Sequence, residues 1–236
     1  MTDLAATPQR SSSSGLFSIY ETRTWWVFAT ICLISLFFNW YLRTEVLTDE
    51  VYYYSLGRSV SAEKLGDFLN AQHSFGILSY LAVPITLVIK VALVSFCLLT
   101  GLLLTSQALP FRTIVKIVFF AEAAFAASTL LKLLILSFFS NIETIGQFEA
   151  FAPLSLFSLF RMLHLFAIPY WLSYPLQTLD LFQVAYFFLL AAGLHHYMKK
   201  PFRQSLKFVA ATYGTGLLCC MIGFAFLTLI LSNHHS

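Results

Sequence analysis

The long apolar runs constrain this chain more than anything else in it. An α-helix needs about 20 apolar residues to cross the hydrocarbon of a bilayer, with a range of roughly 17–25. Four stretches meet that requirement: Trp25–Leu42, Val83–Thr105, Thr113–Phe139 and Leu206–Leu231. A fifth, Leu179–Tyr197, is just long enough. In lipid every backbone N–H and C=O must find its partner inside the protein, and continuous runs of this length do so as helices. The expected fold is all-α, a polytopic transmembrane helical bundle of about five spans.

Composition removes the soluble alternative. Only 11% of the residues are charged and 58% are hydrophobic, with a mean hydropathy of +0.77. Soluble domains carry about 25% charged residues because their surface has to be wetted. Phe is abundant, at 25 copies, which suits lipid-facing and helix-packing surfaces. The net charge of +3 is spread in short clusters between the apolar runs, so nothing resembles the basic face of a nucleic-acid-binding domain. Cys32, Cys97, Cys219 and Cys220 all fall inside apolar runs, where they behave as small hydrophobes. Neither a disulfide framework nor a metal or other cofactor is expected.

Residues 1–24 form a polar segment that includes Ser11–Ser14, and the first apolar run ends in the bulky Asn39-Trp40-Tyr41 rather than in a small-residue cleavage site. The pattern predicts a polar cytoplasmic segment (1–24) followed by a retained first span and a single membrane domain, 25–232. Residues 154–168, held between Pro153 and Pro169, are short for a span. Their polar positions Ser155, Ser158, Arg161 and His164 recur every third residue, which predicts an interfacial or re-entrant helix. Charge supports the same count. With five spans and the N-terminus inside, the cytoplasmic segments hold eight basic residues: Arg10, Arg23, Arg112, Lys116, Lys199, Lys200, Arg203 and Lys207. The outer ones hold four, Arg43, Arg58, Lys64 and Arg161. Basic residues prefer the cytoplasmic side. The orientation expected is N-terminus cytoplasmic and C-terminus outside, in a cell inner (plasma) membrane. Between the first two runs, Ser61 is placed to open a short helix carrying Leu65, Phe68 and Leu69.

Ionisable side chains inside spans are costly, so each is a candidate for function. Glu122 stands out, roughly 13 Å into the third run and surrounded by alanines that let a neighbouring helix come close. Lys90 and Lys132 are the candidate partners. Lys132 is ten residues further along the same helix, about 15 Å away, and cannot pair with Glu122 directly. Lys90 lies on another span and has a flexible stem. Asp180, at the outer end of Leu179–Tyr197, could meet one of these lysines. Arg161 and His164 are one turn apart and could touch an anionic solute or a lipid headgroup. Ala210-x-x-x-Gly214, with Gly216 and Gly223, offers a small-residue face on the last run.

The sequence carries no G-x-x-x-x-G-K-[ST] phosphate loop, no H-E-x-x-H and no G-x-S-x-G elbow. The expected role is non-enzymatic: an assembly, scaffold or accessory factor that packs against the lipid bilayer and a membrane-protein partner, or self-associates through small-residue faces. The alternative is a transporter or permease subunit with Glu122 as an intramembrane coupling site. A lipid-directed enzyme at the outer face, built on His164, Arg161, Glu149 and Asp180, is the third.

Overall fold

The computed structural model describes residues 24–57, 61–107, 109–139, 144–149, 151–163 and 169–233. The polar segment 1–23, Arg58, His164, His234 and His235 lie outside the described residues. Five helices are long and apolar enough to cross a membrane: Trp25–Val46, Gly76–Leu104, Phe111–Phe138, Leu181–Met198 and Phe202–Ile230. They are numbered here as the first to fifth spans. The described residues are an all-helical bundle without strands.

Two of these spans start earlier than their apolar runs suggest. The second begins at Gly76 and passes straight through Pro84, although proline cannot donate to the carbonyl one turn back. Ile77, Leu78 and Leu81 in that first stretch are each more than half exposed, a lipid-facing row that rewards keeping the helix intact. The fifth begins at Phe202, right after Pro201, which supplies the fixed backbone angle of a helix start.

The core is built by the second to fifth spans. Val91, Val94, Leu98 and Leu102 meet Ile114, Ile117, Val118 and Ala121, and both sets meet Tyr186, Leu190 and Leu194 and then Val209 and Tyr213. The spacing of three and four residues keeps each set on one helix face. Close approach depends on glycine at two crossings. A Cβ on Gly193 would stand 2.5 Å from Ile117 Cγ2, and one on Gly101 would stand 2.1 Å from Thr212 Cγ2. The first span is peripheral, with Ile31, Cys32 and Val46 its buried residues and Phe28 edge-on to Phe119.

The remaining helices gather at the end where the second and fourth spans begin. Asp49–Leu56 and Ala62–Ser74 follow the first span. Ala62–Ser74 opens after Ser61 and buries Leu65 and Leu69, while Phe68 packs on Tyr52. The Ile145 amide donates to Ser55 Oγ at 2.9 Å, tying the two long connections together. Within 154–168, the helix covers Leu156–Met162, capped by Ser155, whose hydroxyl accepts from the Ser158 amide. A further helix, Tyr170–Thr178, contains Pro175 and lays Tyr174 against Phe224 of the fifth span.

Candidate functional site

Glu122 occupies a joint in the third span, between the helical stretches Phe111–Ala121 and Ala123–Phe139. Its carbonyl accepts from both Phe125 and Ala126, at 3.0 and 3.1 Å, so the turn there is tightened but not broken. The flanking alanines 121, 124 and 126 are buried and leave room for other helices to close in. Glu122 itself is 2% exposed.

Lys90 reaches it from the second span. Its Nζ donates to Glu122 Oε2 at 2.9 Å, a charge-assisted hydrogen bond and an ion pair at once. The same ammonium lies 3.4 Å from the centre of the Phe125 ring and 5.6 Å from that of Tyr186. A cation against ring faces gains from their negative potential, and more so away from water. The two partners are unequal: the Lys90 side chain is 37% exposed, whereas that of Glu122 is 2%. The anion is built into the bundle and the cation is reached from outside it.

The open side of Lys90 is a cleft of about 500 Å³ between the first, second and third spans. Ser35 and Asn39 contribute from the first, Ser79 and Thr86 from the second, and Glu122 and Thr129 from the third. Ser79, Val83, Thr86 and Lys90 recur at helical spacing, so one face of the second span carries the lining over ~16 Å. From the ion pair the cleft runs toward the end where the second span begins and the first and third spans end. Two of its hydroxyls are already committed. Ser79 Oγ donates to the Gly76 carbonyl at 2.8 Å and Thr129 Oγ1 to the Phe125 carbonyl at 3.0 Å. A hydroxyl has one proton, so both now offer lone pairs only.

Behind the ion pair, the polar groups continue into the core. Tyr186 is fully buried between Phe125 and Tyr213, its ring tilted against both at centroid distances of 4.9 and 5.3 Å. Its buried hydroxyl faces the Glu122 carboxylate. Gln183 Nε2 donates to Tyr213 Oη at 2.9 Å. Tyr213 sits in a π-helical turn, Ala210–Gly214, inside the fifth span. Irregular backbone at membrane depth occurs where it is buried in protein or lines a cavity, and π-turns gather at functional sites.

The other sequence candidates are dispersed. Lys132 lies on the third span beyond Thr129 and is not brought to Glu122. Asp180 caps the fourth span, its Oδ1 accepting from the Gln183 amide at 2.6 Å, and acts on Lys90 through its charge without touching it. It also takes part in a single antiparallel bridge with Ser155. Arg161 is exposed on Leu156–Met162, and His164 lies outside the described residues. The fifth-span glycines look inward in part: Gly214 faces the Phe187 ring and Gly216 faces Cys97 Sγ, while Gly223 has open space. Among the described residues no three His, Cys, Asp or Glu side chains come together as a metal site. Sequence reasoning missed Gln183, Tyr186 and Tyr213. A signal existed in Gln183 and Tyr186, polar-tipped residues three apart within an apolar span.

No protein-family model matches the sequence, and no curated protein or solved structure is significantly similar to it.

Proposed function

We propose that the chain is a solute-binding membrane protein of the transporter or permease-subunit class, with Lys90 and Glu122 as its intramembrane coupling site. One observation carries the reading: the ion pair forms the floor of a cleft lined by both polar and apolar side chains instead of being sealed inside the bundle. A pair serving only to hold helices together does not need one partner open to a cavity. This one keeps its cation on the open side and its anion on the closed side, which suits a pair that opens and re-forms. The tightened turn of the third span and the π-turn of the fifth fall at the same site, as in sites where irregular helices surround a bound solute. With the basic residues placed inward, the cleft opens to the outer face of a cell inner membrane. The role is non-enzymatic, and no cofactor is needed for it.

A second reading is favoured by a separate observation. Only 6% of the first and of the fifth span's apolar window is buried within this one chain, and Gly223 is open to close approach. Association with another membrane protein or a second copy, in an assembly or accessory role, fits these faces and is compatible with a working cleft.

The test is water access to the cleft floor. In a background with the four cysteines replaced by serine or alanine, Thr86→Cys and Ala124→Cys would be exposed to a membrane-impermeant thiol reagent from each side of sealed vesicles. The expected result is labelling of Thr86→Cys from the outer side alone and none of Ala124→Cys. Thr86→Cys unlabelled from both sides would leave the ion pair a packing device and return the weight to the assembly role.

A further inference from the structure

We infer that the solute taken by this cleft carries a primary ammonium group, which replaces the Lys90 ammonium on Glu122. The inference rests on reading the cleft as a solute site and adds the chemical class.

The surroundings of Lys90 Nζ already define what an ammonium needs. One carboxylate oxygen lies at 2.9 Å and an aromatic face at 3.4 Å, with a second ring at 5.6 Å. Ammonium groups are held by charge-assisted hydrogen bonds to carboxylates and by ring faces, the combination present here. Lys90 is therefore a tethered copy of the ligand group, entering from the cleft on a flexible stem that is 37% exposed. The carboxylate cannot follow it out, being 2% exposed on a tightened turn. Exchange is then a swap of one ammonium for another on Glu122, which stays paired while the Lys90 ammonium turns into the open cleft.

The lining points the same way. Ser79 and Thr129 donate their only protons to backbone carbonyls and present lone pairs to the cleft. Glu122 adds its carboxylate oxygen Oε2 at the cleft floor. An N–H-rich solute finds acceptors at each of these places. An anion finds the carboxylate and two acceptor-only hydroxyls, with Lys90 alone in its favour. A hard divalent cation wants six or more oxygen ligands and gains little from rings, so it fits less well than an ammonium. A volume of about 500 Å³ lies within the range of small-molecule sites.

The probe is methylammonium chloride, titrated into the full chain in lipid nanodiscs and followed by calorimetry and thermal unfolding. Wild type should bind it weakly, because Lys90 competes. Lys90→Ala should bind it about tenfold tighter or more and recover its thermal stability in its presence, since the tethered competitor is gone. Glu122→Gln should lose binding. Tetramethylammonium, which has no N–H to donate, should not substitute. If Lys90→Ala folds only with methylammonium and not with tetramethylammonium, that too supports the swap. Thr129→Val, which keeps both charges, should weaken wild-type binding several-fold.

Three results would overturn the proposal. Absence of methylammonium binding in both wild type and folded Lys90→Ala is one. Binding that survives Glu122→Gln is another. Binding of acetate or glycerol in place of methylammonium, dependent on Glu122, is the third, and it would leave the solute-site reading standing. No binding of any probe together with an unlabelled Thr86→Cys removes both readings.

Discussion

Removing either partner of the ion pair should not cost the same. At 2.9 Å the Coulomb attraction of Lys90 and Glu122 is roughly 6 kcal/mol at an effective dielectric constant near 20. The cost of holding both charges away from water offsets much of that, so the net worth of the pair is small. The asymmetry survives the cancellation. Lys90→Met leaves a carboxylate that is 2% exposed with no cation, and breaking a buried pair in this way costs about 3–5 kcal/mol. Glu122→Met leaves an ammonium that is 37% exposed, backed by the Phe125 face and able to turn into the cleft. Its cost should be about 1–2 kcal/mol, near the low end for an unmade hydrogen bond. The double variant, with apolar side chains of similar volume at both sites, should fall within about 1 kcal/mol of wild type, since such replacements are often neutral. The cycle thus predicts a coupling energy of about 3 kcal/mol or more, at the top of the usual range for contacting residues. Reversible unfolding in mixed micelles, followed by circular dichroism, measures all four proteins. Additive effects, or a Glu122→Met variant less stable than Lys90→Met, would refute the reasoning.

Other substitutions probe the frame around the site with the same assay. Gly193→Ala should destabilise by about 1–3 kcal/mol, because its Cβ falls 2.5 Å from Cγ2 of Ile117, a stiff β-branched side chain with no room to retreat. The penalty should shrink in an Ile117→Ala background, which removes that atom. Ser205→Ala should be neutral or stabilising by up to ~1 kcal/mol, since the Ser205 hydroxyl is 1% exposed and has no partner. Tyr213→Phe should cost about 1–3 kcal/mol by leaving the buried Gln183 amide without its acceptor. Asp180→Ala removes the cap of the fourth span and should cost about 1 kcal/mol, with Asp180→Asn restoring most of it.

The spans were legible because their signal is one-dimensional: length and continuity of apolar residues decide it, whatever the neighbours are. Leu156–Met162 was half legible: the recurrence of Ser155, Ser158 and Arg161 is a local signal, whereas no local signal marks an end at the exposed Leu163. The ion pair was legible as a set of residue types and not as a contact. Glu122 and Lys90 are 32 positions apart, and whether they meet depends on relative depth and rotation of two helices. The cleft was hidden for a related reason. Reading the second span from Val83 left Ser79 outside it, so the polar face 79–83–86–90 lost its first member. The helix runs on through Pro84 from Gly76, where the lipid-facing residues before the proline keep it going although proline cannot donate to the carbonyl one turn back. Tyr213 turns inward through a π-turn that no periodicity of 3.6 anticipates.

That turn also sets which insertions and deletions the fifth span can absorb. A residue removed elsewhere from Phe202–Ile230 rotates everything beyond it by about 100° and draws it back by about 1.5 Å, pulling Phe224 off Tyr174. Removed from within Ala210–Gly214, it converts a five-residue π loop into ordinary α-helix and leaves Thr215–Asn233 where it was. The span holds one residue of slack, stored beside the Gly101–Thr212 crossing. Relaxing that slack without deletion would turn the whole C-terminal half like a key, presenting a different face of the helix to whatever lies against it.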